Sequence, residues 1–549
     1  MKGSTVGFGR NLVVHGDITN EGTITINPAN AAGAGIAYIR IAENASISGD
    51  GELRLNANGA QLRIAEGKTL TVDADQQISG FGVINPASTL ANSGSLVSNG
   101  SILADADGTL QINVSGSDTL TNNGTLRSTG AGGLSLQGTI VNNTAIEAHG
   151  SNVQLKAANV QGGTLRGTSD GAVDGTFELS NVTLDGVHLE SGSFTGANGS
   201  TTRVVSSITN DGTVSVSNTG FVHPTTLRIS DGVHLEGSGE IVLNNQHNSR
   251  VLTETDDSQF TIGSQQTLRG TGRLLNNSGG ATNLGTIEAD DVRVLRIDPG
   301  NSSQFVNQGT LRASGIGGIE YDGSHSVNEG RVEIASNSTL QSIGNYQQTA
   351  GRTDADGLLN TTAGADVQIR GGVLSGSGTV QTNSVNVESG ARIAPGNSPG
   401  VLTIFGDVNH MAGAFFDYEL FGSIPGIGHD LLQVGDGTVY DLGILNVLTD
   451  LSFANTWAVG DRFEVIRLLS GGVFSSGIGF DSITSNISGL VFSQLIDTNS
   501  MGTDSLYLTI TDVNIGSGTV PAPGSLILIL TGILIQGWRR RVFAPKTVV

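Results

Sequence analysis

The side chains that could carry chemistry are few and scattered. One Gly-x-Ser-x-Gly occurs, Gly167-Thr168-Ser169-Asp170-Gly171, the pattern in which a serine on a strand-to-helix elbow becomes a nucleophile. A chain with 81 glycines produces such a match by chance. No helical periodicity follows Gly171, so Ser169 is expected to be a loop residue. None of the nine histidines stands four residues from another, as a zinc-binding helix would require. His188 and His234 share the phrase Asp-Gly-Val-His-Leu-Glu, which points to repetition rather than catalysis. Asp105 with Asp107, and Asp354 with Asp356, lie in two copies of Asp-Ala-Asp-Gly that could open a calcium loop. Neither copy supplies the later ligands, so calcium is the one cofactor left open and no other is expected. The pairs Asp256-Asp257 and Asp290-Asp291 offer carboxylates of the kind that glycoside cleavage needs in converging pairs.

Composition narrows the field. With no cysteine among 549 residues, disulfides, Cys-ligated zinc and thiol nucleophiles are excluded. A formal net charge of −22 argues against nucleic acid as a partner, because no long stretch neutralises phosphate.

The elements that must position these residues are written as repeats. One phrase, apolar-x-Asn-x-Gly-small-apolar, recurs at Asn20, Asn92, Asn122, Asn210, Asn283, Asn307 and Asn328. A second, built on Gly-x-Gly, recurs at Gly49, Gly80, Gly237, Gly270 and Gly376. Their order repeats as well: Asn20, Gly49, Gly80, Asn92 and Asn122 recur at Asn210, Gly237, Gly270, Asn283 and Asn307, offset by 185 to 191 residues. This is an internal duplication spanning about 17–134 and 207–319. Around each glycine lie runs of period two, such as Thr23 to Ile26, with Asn and Gly at the turns. Strands this short cannot each own a core, so coil must stack on coil. Residues 1–392 are therefore expected to form an all-β parallel β-helix, or solenoid, with an antiparallel sandwich array as the competing architecture. Nine of the 17 phenylalanines lie between Val401 and Val513, against seven in the first 400 residues. That shift predicts a separate, aromatic-richer β module over 393–513, acting as a cap, followed by a linker at 514–519.

Two segments resemble known families. Gln347 to Gly357, Gly371 to Val380, and Ala391 to Val408 with its Pro-Gly-Asn-Ser-Pro-Gly resemble the final repeats of autotransporter-type passenger domains. Val520 to Arg541 resembles a PEP-CTERM sorting signal: a Val-Pro-x-Pro motif, one apolar helix, then arginines. By that resemblance Val520, Pro521, Ala522 and Pro523 form the motif. Leu526, Ile527, Leu528, Ile529, Leu530, Ile533, Leu534, Ile535 and Trp538 form the membrane anchor, and Arg539, Arg540 and Arg541 the cytoplasmic stop. Ala522 stands where the family has Glu, and residues 542–549 extend the tail. As a helix, Leu526 to Trp538 would be about 20 Å long against a hydrocarbon core of about 30 Å. The family resemblance implies a transient anchor in the inner membrane of a Gram-negative bacterium. It also implies cleavage by an exosortase and delivery to the cell surface or extracellular matrix. The first residues contain no apolar signal core, so an exported protein is expected to have more chain upstream of Met1.

The expected function is a non-enzymatic surface protein, adhesin-like and associated with exopolysaccharide. A polysaccharide lyase or hydrolase on the same fold is the alternative, although the Gly-His-Gly and Arg-Ile-Lys pieces of the pectinase pattern are absent. An autotransporter passenger is the third reading; only 36 residues follow Val513, so that route would need its membrane barrel as a separate chain.

Overall fold

In the computed structural model, residues 4–7, 9–26, 35–86, 93–220, 222–498 and 504–515 are described. The sorting motif, anchor and arginine cluster expected over 520–541 lie outside the described residues. So does most of the expected linker.

Each alternating run becomes a strand of typically four or five residues, and three strands make one turn of a parallel β-solenoid. The first sheet begins with Ser4–Val6 and Thr23–Ile26, the second with Asn11–Val14 and Ala37–Ile41, and the third with Ile18–Thr19 and Ala45–Ser48. Strands of one sheet pair with the corresponding strands of the turns above and below. In the first sheet Ile24, Leu53, Ile78, Ile102, Leu126, Ile146, Leu165 and Leu189 follow one another in register. All are buried. A buried aliphatic side chain of this size contributes roughly 2 kcal/mol, and a one-residue slip would turn the whole column outward. Among the described strands the only antiparallel ladders join Ser505–Val513 to Arg462–Leu468 and Leu490–Asp497. The sandwich array is therefore not the architecture of this chain.

The stack does not stop at residue 392. Thr379–Val387 pairs with Val401–Glu419, which pairs with Leu431–Gly435 and Thr438–Leu448, and the latter pairs with Ser482–Ser485, all in parallel. Of the phenylalanines beyond 400, Phe416, Phe463, Phe480 and Phe492 are buried in the same core, whereas Phe453 is exposed and Phe415 lies outside beneath Arg392. Phe416 is buried and meets Phe480 edge-on, with ring centroids 5.7 Å apart. Composition changes near residue 400, while the winding continues. The one helix among the described residues is Leu451–Ala454, capped by the Asp450 carboxylate, which accepts from the Ser452 and Phe453 N–H groups.

The repeated asparagine points inward. Asn283 donates to Asn307 and Asn307 to Asn328, each at 2.8 Å, and Asn328 donates to Gln348 at 3.3 Å. All four are fully buried. This amide ladder satisfies polar groups that would otherwise be costly inside an apolar column. Its direction leaves one orphan: Asn283 Oδ1, the first acceptor, has no partner, because the strand below it offers Ile262 instead of an amide. The second phrase sets a close approach. Gly80 and Gly270 have φ of 96° and 104°, and a Cβ at either would fall 1.9 Å from Leu55 O or 2.0 Å from Leu243 O.

The duplication reappears in side-chain contacts. Asn20 donates to Gln76 at 3.3 Å, and Asn210 donates to Gln266 at 3.1 Å. The second copy is nonetheless turned by one face. Thr23–Ile26 lies in the first sheet, whereas its counterpart Thr213–Val216 pairs into the second, between Ser193–Gly196 and Glu240–Asn244. A solenoid with three similar faces tolerates such an offset, since each strand needs only an apolar inner row.

Candidate functional site: a carboxylate-lined groove at the Pro-Gly-Asn-Ser-Pro-Gly loop

The sequence-predicted sites separate in space. Ser169 lies in an exposed turn, where its Oγ accepts from Gly171 N at 3.1 Å and donates to Val173 O at 3.3 Å. The nearby His149 meets Thr168 Oγ1 instead, at 2.9 Å, so Ser169 has no base. Asp105 pairs with Arg54 at 3.1 Å, while Asp107 is exposed. Asp256 and Asp257 are exposed in a turn. Asp290 and Asp291 are drawn apart to Arg269 and Arg293. His188 faces Asp211 at 3.0 Å and His234 faces Glu236 at 3.7 Å. Among the described residues no group of three or more His, Cys, Asp or Glu side chains is placed to hold a metal ion.

The second Asp-Ala-Asp-Gly enters a groove of about 1090 Å³. Its floor is the outer face of the second sheet. Arg331 stands beside Arg352 and Glu333 beside Asp354 in adjacent strands. The charges are satisfied crosswise: Arg312 reaches Glu333, Arg331 reaches both Glu333 and Asp354, and Arg352 reaches Asp354. Burial pushes the Asp354 carboxyl up, but Arg352, Ser375 and Arg331 outweigh it and hold it below the usual carboxylate range. Farther along, Arg392 pairs with Asp417 at 2.9 Å.

The rim is the loop from Pro395 to Gly400, with a cis Ser398-Pro399 peptide. Asp430 clamps it: one carboxyl oxygen accepts from Gly400 N and the other from Glu419 N, both at 2.9 Å. Burial pushes this carboxyl up to about 8 against those two N–H groups. Asp356 ties the loop from the other side, accepting from Asn397 Nδ2 at 2.7 Å. Glu419 closes the groove. Its Oε1 accepts from Ser398 Oγ at 2.9 Å, its Oε2 has no partner, and burial raises its carboxyl.

Two raised carboxyls beside Asp417, which is paired with Arg392, invite comparison with a glycosidase pair. Asp430 is only 2% exposed, however, and both of its oxygens are occupied by backbone N–H groups. It acts as a loop clamp and cannot deliver a proton to a sugar. Among the described residues of the groove, Glu419 thus carries the buried carboxylate oxygen without a partner, which suits it to hold a polar ligand better than to cleave one. Glu419, Asp430, Arg331 and Arg352 were not singled out from sequence; the signal that would have found them is the coil period, which sets Glu333, Asp354 and Ser375 side by side. Comparison with known protein families and with curated proteins finds no match to this chain.

Proposed function

We propose that the protein is a non-enzymatic scaffold of a bacterial surface or extracellular matrix, associated with exopolysaccharide and delivered by the C-terminal signal at 520–541. The observation that carries the reading is the continuous parallel stack, whose outer carboxylates Glu240, Glu333, Asp354 and Asp417 on the second sheet are engaged by arginines. Such a body supplies rigid reach and a repeated outer surface. The antiparallel strands around Ser505–Val513 would serve as its cap, covering an edge that otherwise recruits other chains. An exosortase-type enzyme would remove the anchor Leu526 to Trp538, with Arg539 to Arg541 as its stop.

The test is cell fractionation of the full chain against one lacking the last 30 residues. Loss of surface display on truncation, together with a smaller mature form of the full chain, is the expected result. Unchanged location and mass would refute sorting by this segment. A second reading, a polysaccharide-active enzyme, is favoured by one observation only, the unpartnered Glu419 Oε2 in its groove. Reducing sugars or unsaturated uronates released by the purified chain, and abolished by Glu419→Gln, would establish that reading instead.

A further inference from the structure

The outer face of the third sheet carries a column of like charge. Arg250, Arg273 and Arg296 occupy the same position on three successive turns and face one another in register. Arg203 and Arg228 are in register in the row beside them, one turn earlier. Adjacent parallel strands are about 4.8 Å apart, and like charges set directly opposite across strands are destabilising. The second sheet shows how this chain handles the same geometry: Arg312 reaches Glu333, and Arg331 reaches Asp354. The third sheet departs from that pattern.

The partners of these arginines are few. Arg203 pairs with Glu254 and Arg296 with Glu320, at the two ends of the patch. Between them, Arg228 donates to Thr253 O at 2.9 Å, and Arg250 to His247 O at 3.0 Å. Arg273 donates to Asn276 Oδ1 and lies 3.4 Å from His247 Nδ1, while its Nε has no partner. None of these three guanidinium groups forms an ion pair among the described residues. Burial, and then the charge of Arg273, push the Arg250 guanidinium down. Asp298 stands near Arg296 and Arg273 without forming an ion pair; burial raises its carboxyl against their attraction. In a chain of net charge −22, the half-buried Arg250 and Arg273 thus face each other with no acidic partner among the described residues.

We propose that this face binds an acidic polysaccharide laid along the solenoid axis, its carboxylates meeting Arg250 and Arg273, with Arg296 held by Glu320 at the end of the row. A polyuronate carries one carboxylate per sugar, so a chain along the axis brings a row of anions to this row of cations. The planar fork of each guanidinium matches a carboxylate in bidentate fashion. A nucleic-acid duplex fits less well. It carries one charge per about 1.7 Å of helix axis, and that dense charge would meet the acidic remainder of the molecule. The inference deepens the exopolysaccharide association proposed above and rests on it for biological meaning. Its test uses purified chain, so failure to bind leaves the fractionation result untouched, and the converse holds as well.

The experiment measures binding of the full chain to polygalacturonate, to neutral dextran and to duplex DNA at low and physiological salt. Polygalacturonate should bind, dextran should not, and affinity should fall as salt rises. Arg250→Gln with Arg273→Gln should weaken polygalacturonate binding at least about ten-fold, because two charge-assisted contacts are lost. Arg250→Lys with Arg273→Lys keeps both charges and should retain most of the binding. The Gln pair relieves like-charge repulsion, so its thermal midpoint should not fall. The Lys pair guards against misfolding as the cause of any loss. Equal binding by the wild type and the Gln pair, equal binding of dextran, or tighter binding of DNA with the same dependence on these arginines would overturn the proposal.

Discussion

Replacing His410 with leucine should remove a defined part of the protein's sensitivity to acid. His410 ends the inner row of the segment Val401–Glu419 in the first sheet and is fully buried. Neither ring nitrogen has a hydrogen-bond partner, and the nearest aromatic neighbour is Phe416, with ring centroids 5.8 Å apart. Burial alone pushes the imidazole from 6.5 down to about 3. The folded state therefore favours the neutral ring, and between those two values the unfolded chain binds the extra proton. The neutral ring carries no penalty above about pH 6.5, and stability is lost progressively as pH falls toward about 3. At pH 4.5 the loss comes to about 3 kcal/mol, from two pH units at about 1.4 kcal/mol each. The measurement is denaturant unfolding at pH 7.5 and 4.5 for wild type and His410→Leu, both carrying Trp538→Phe so that Trp457 is the only tryptophan. Trp457 packs against Phe463, with ring centroids 5.2 Å apart, and so reports the C-terminal turns where His410 lies. Carboxylates titrate in both proteins and cancel in the comparison. An acid-induced loss equal in the two proteins would refute the argument, and would mean that the imidazole reaches water or a partner.

Two further predictions concern the repeats. Asn307→Ala interrupts the buried ladder, leaving Asn328 Oδ1 without its donor and Asn283 Nδ2 with Thr310 O alone, and should cost about 2 kcal/mol; Asn143→Ala, which removes an exposed hydrogen bond to Asn123, should cost under about 0.5 kcal/mol. Hydrogen exchange of the neighbouring strands would show the first and not the second. Gly270→Ala sets a Cβ about 2.0 Å from Leu243 O at positive φ and should cost more than Gly232→Ala, which has positive φ but no atom within 4 Å. The second change isolates the backbone cost of about 1 kcal/mol. Equal thermal shifts for the two alanines would refute the close-approach argument.

The fold was legible because the signals that specify it are local and repeated. Alternation such as Thr23–Ile26 gives strands, Asn and Gly give turns, and the recurrence of Asn210 after Asn20 and Gly270 after Gly80 gives stacking. The Asn20–Gln76 and Asn210–Gln266 contacts show that the duplicated letters keep a duplicated geometry. The boundary expected at residue 392 was less secure for a physical reason. Aromatic enrichment reports what fills the interior, and Phe416 fills the same kind of interior as Leu126 does. A more aromatic interior therefore reads as a new module, while the parallel pairing runs on from Thr379–Val387 into Val401–Glu419. Ser169, by contrast, could be set aside from sequence alone, because a nucleophile needs an elbow and a base, and neither pattern surrounds it.

What sequence reading could not supply was the charge map, and the reason lies in how a solenoid turns period into adjacency. Arg250, Arg273 and Arg296 are 23 residues apart, far beyond the reach of any local motif, yet in register on neighbouring strands. The second Asp-Ala-Asp-Gly looked like a loop with missing ligands. In the fold its missing partners are Arg331, one turn back, and Asn397 in the loop beyond. Net charge conceals the same information: −22 averaged over the molecule argues against nucleic acid as a partner, while three adjacent turns gather their cations into one row. Side-chain columns can be listed only once the residue count of each turn is known, and that count varies with every loop. For a chain of this kind the register must therefore be established before charge can be interpreted, and functional inference belongs to the columns rather than to the motifs.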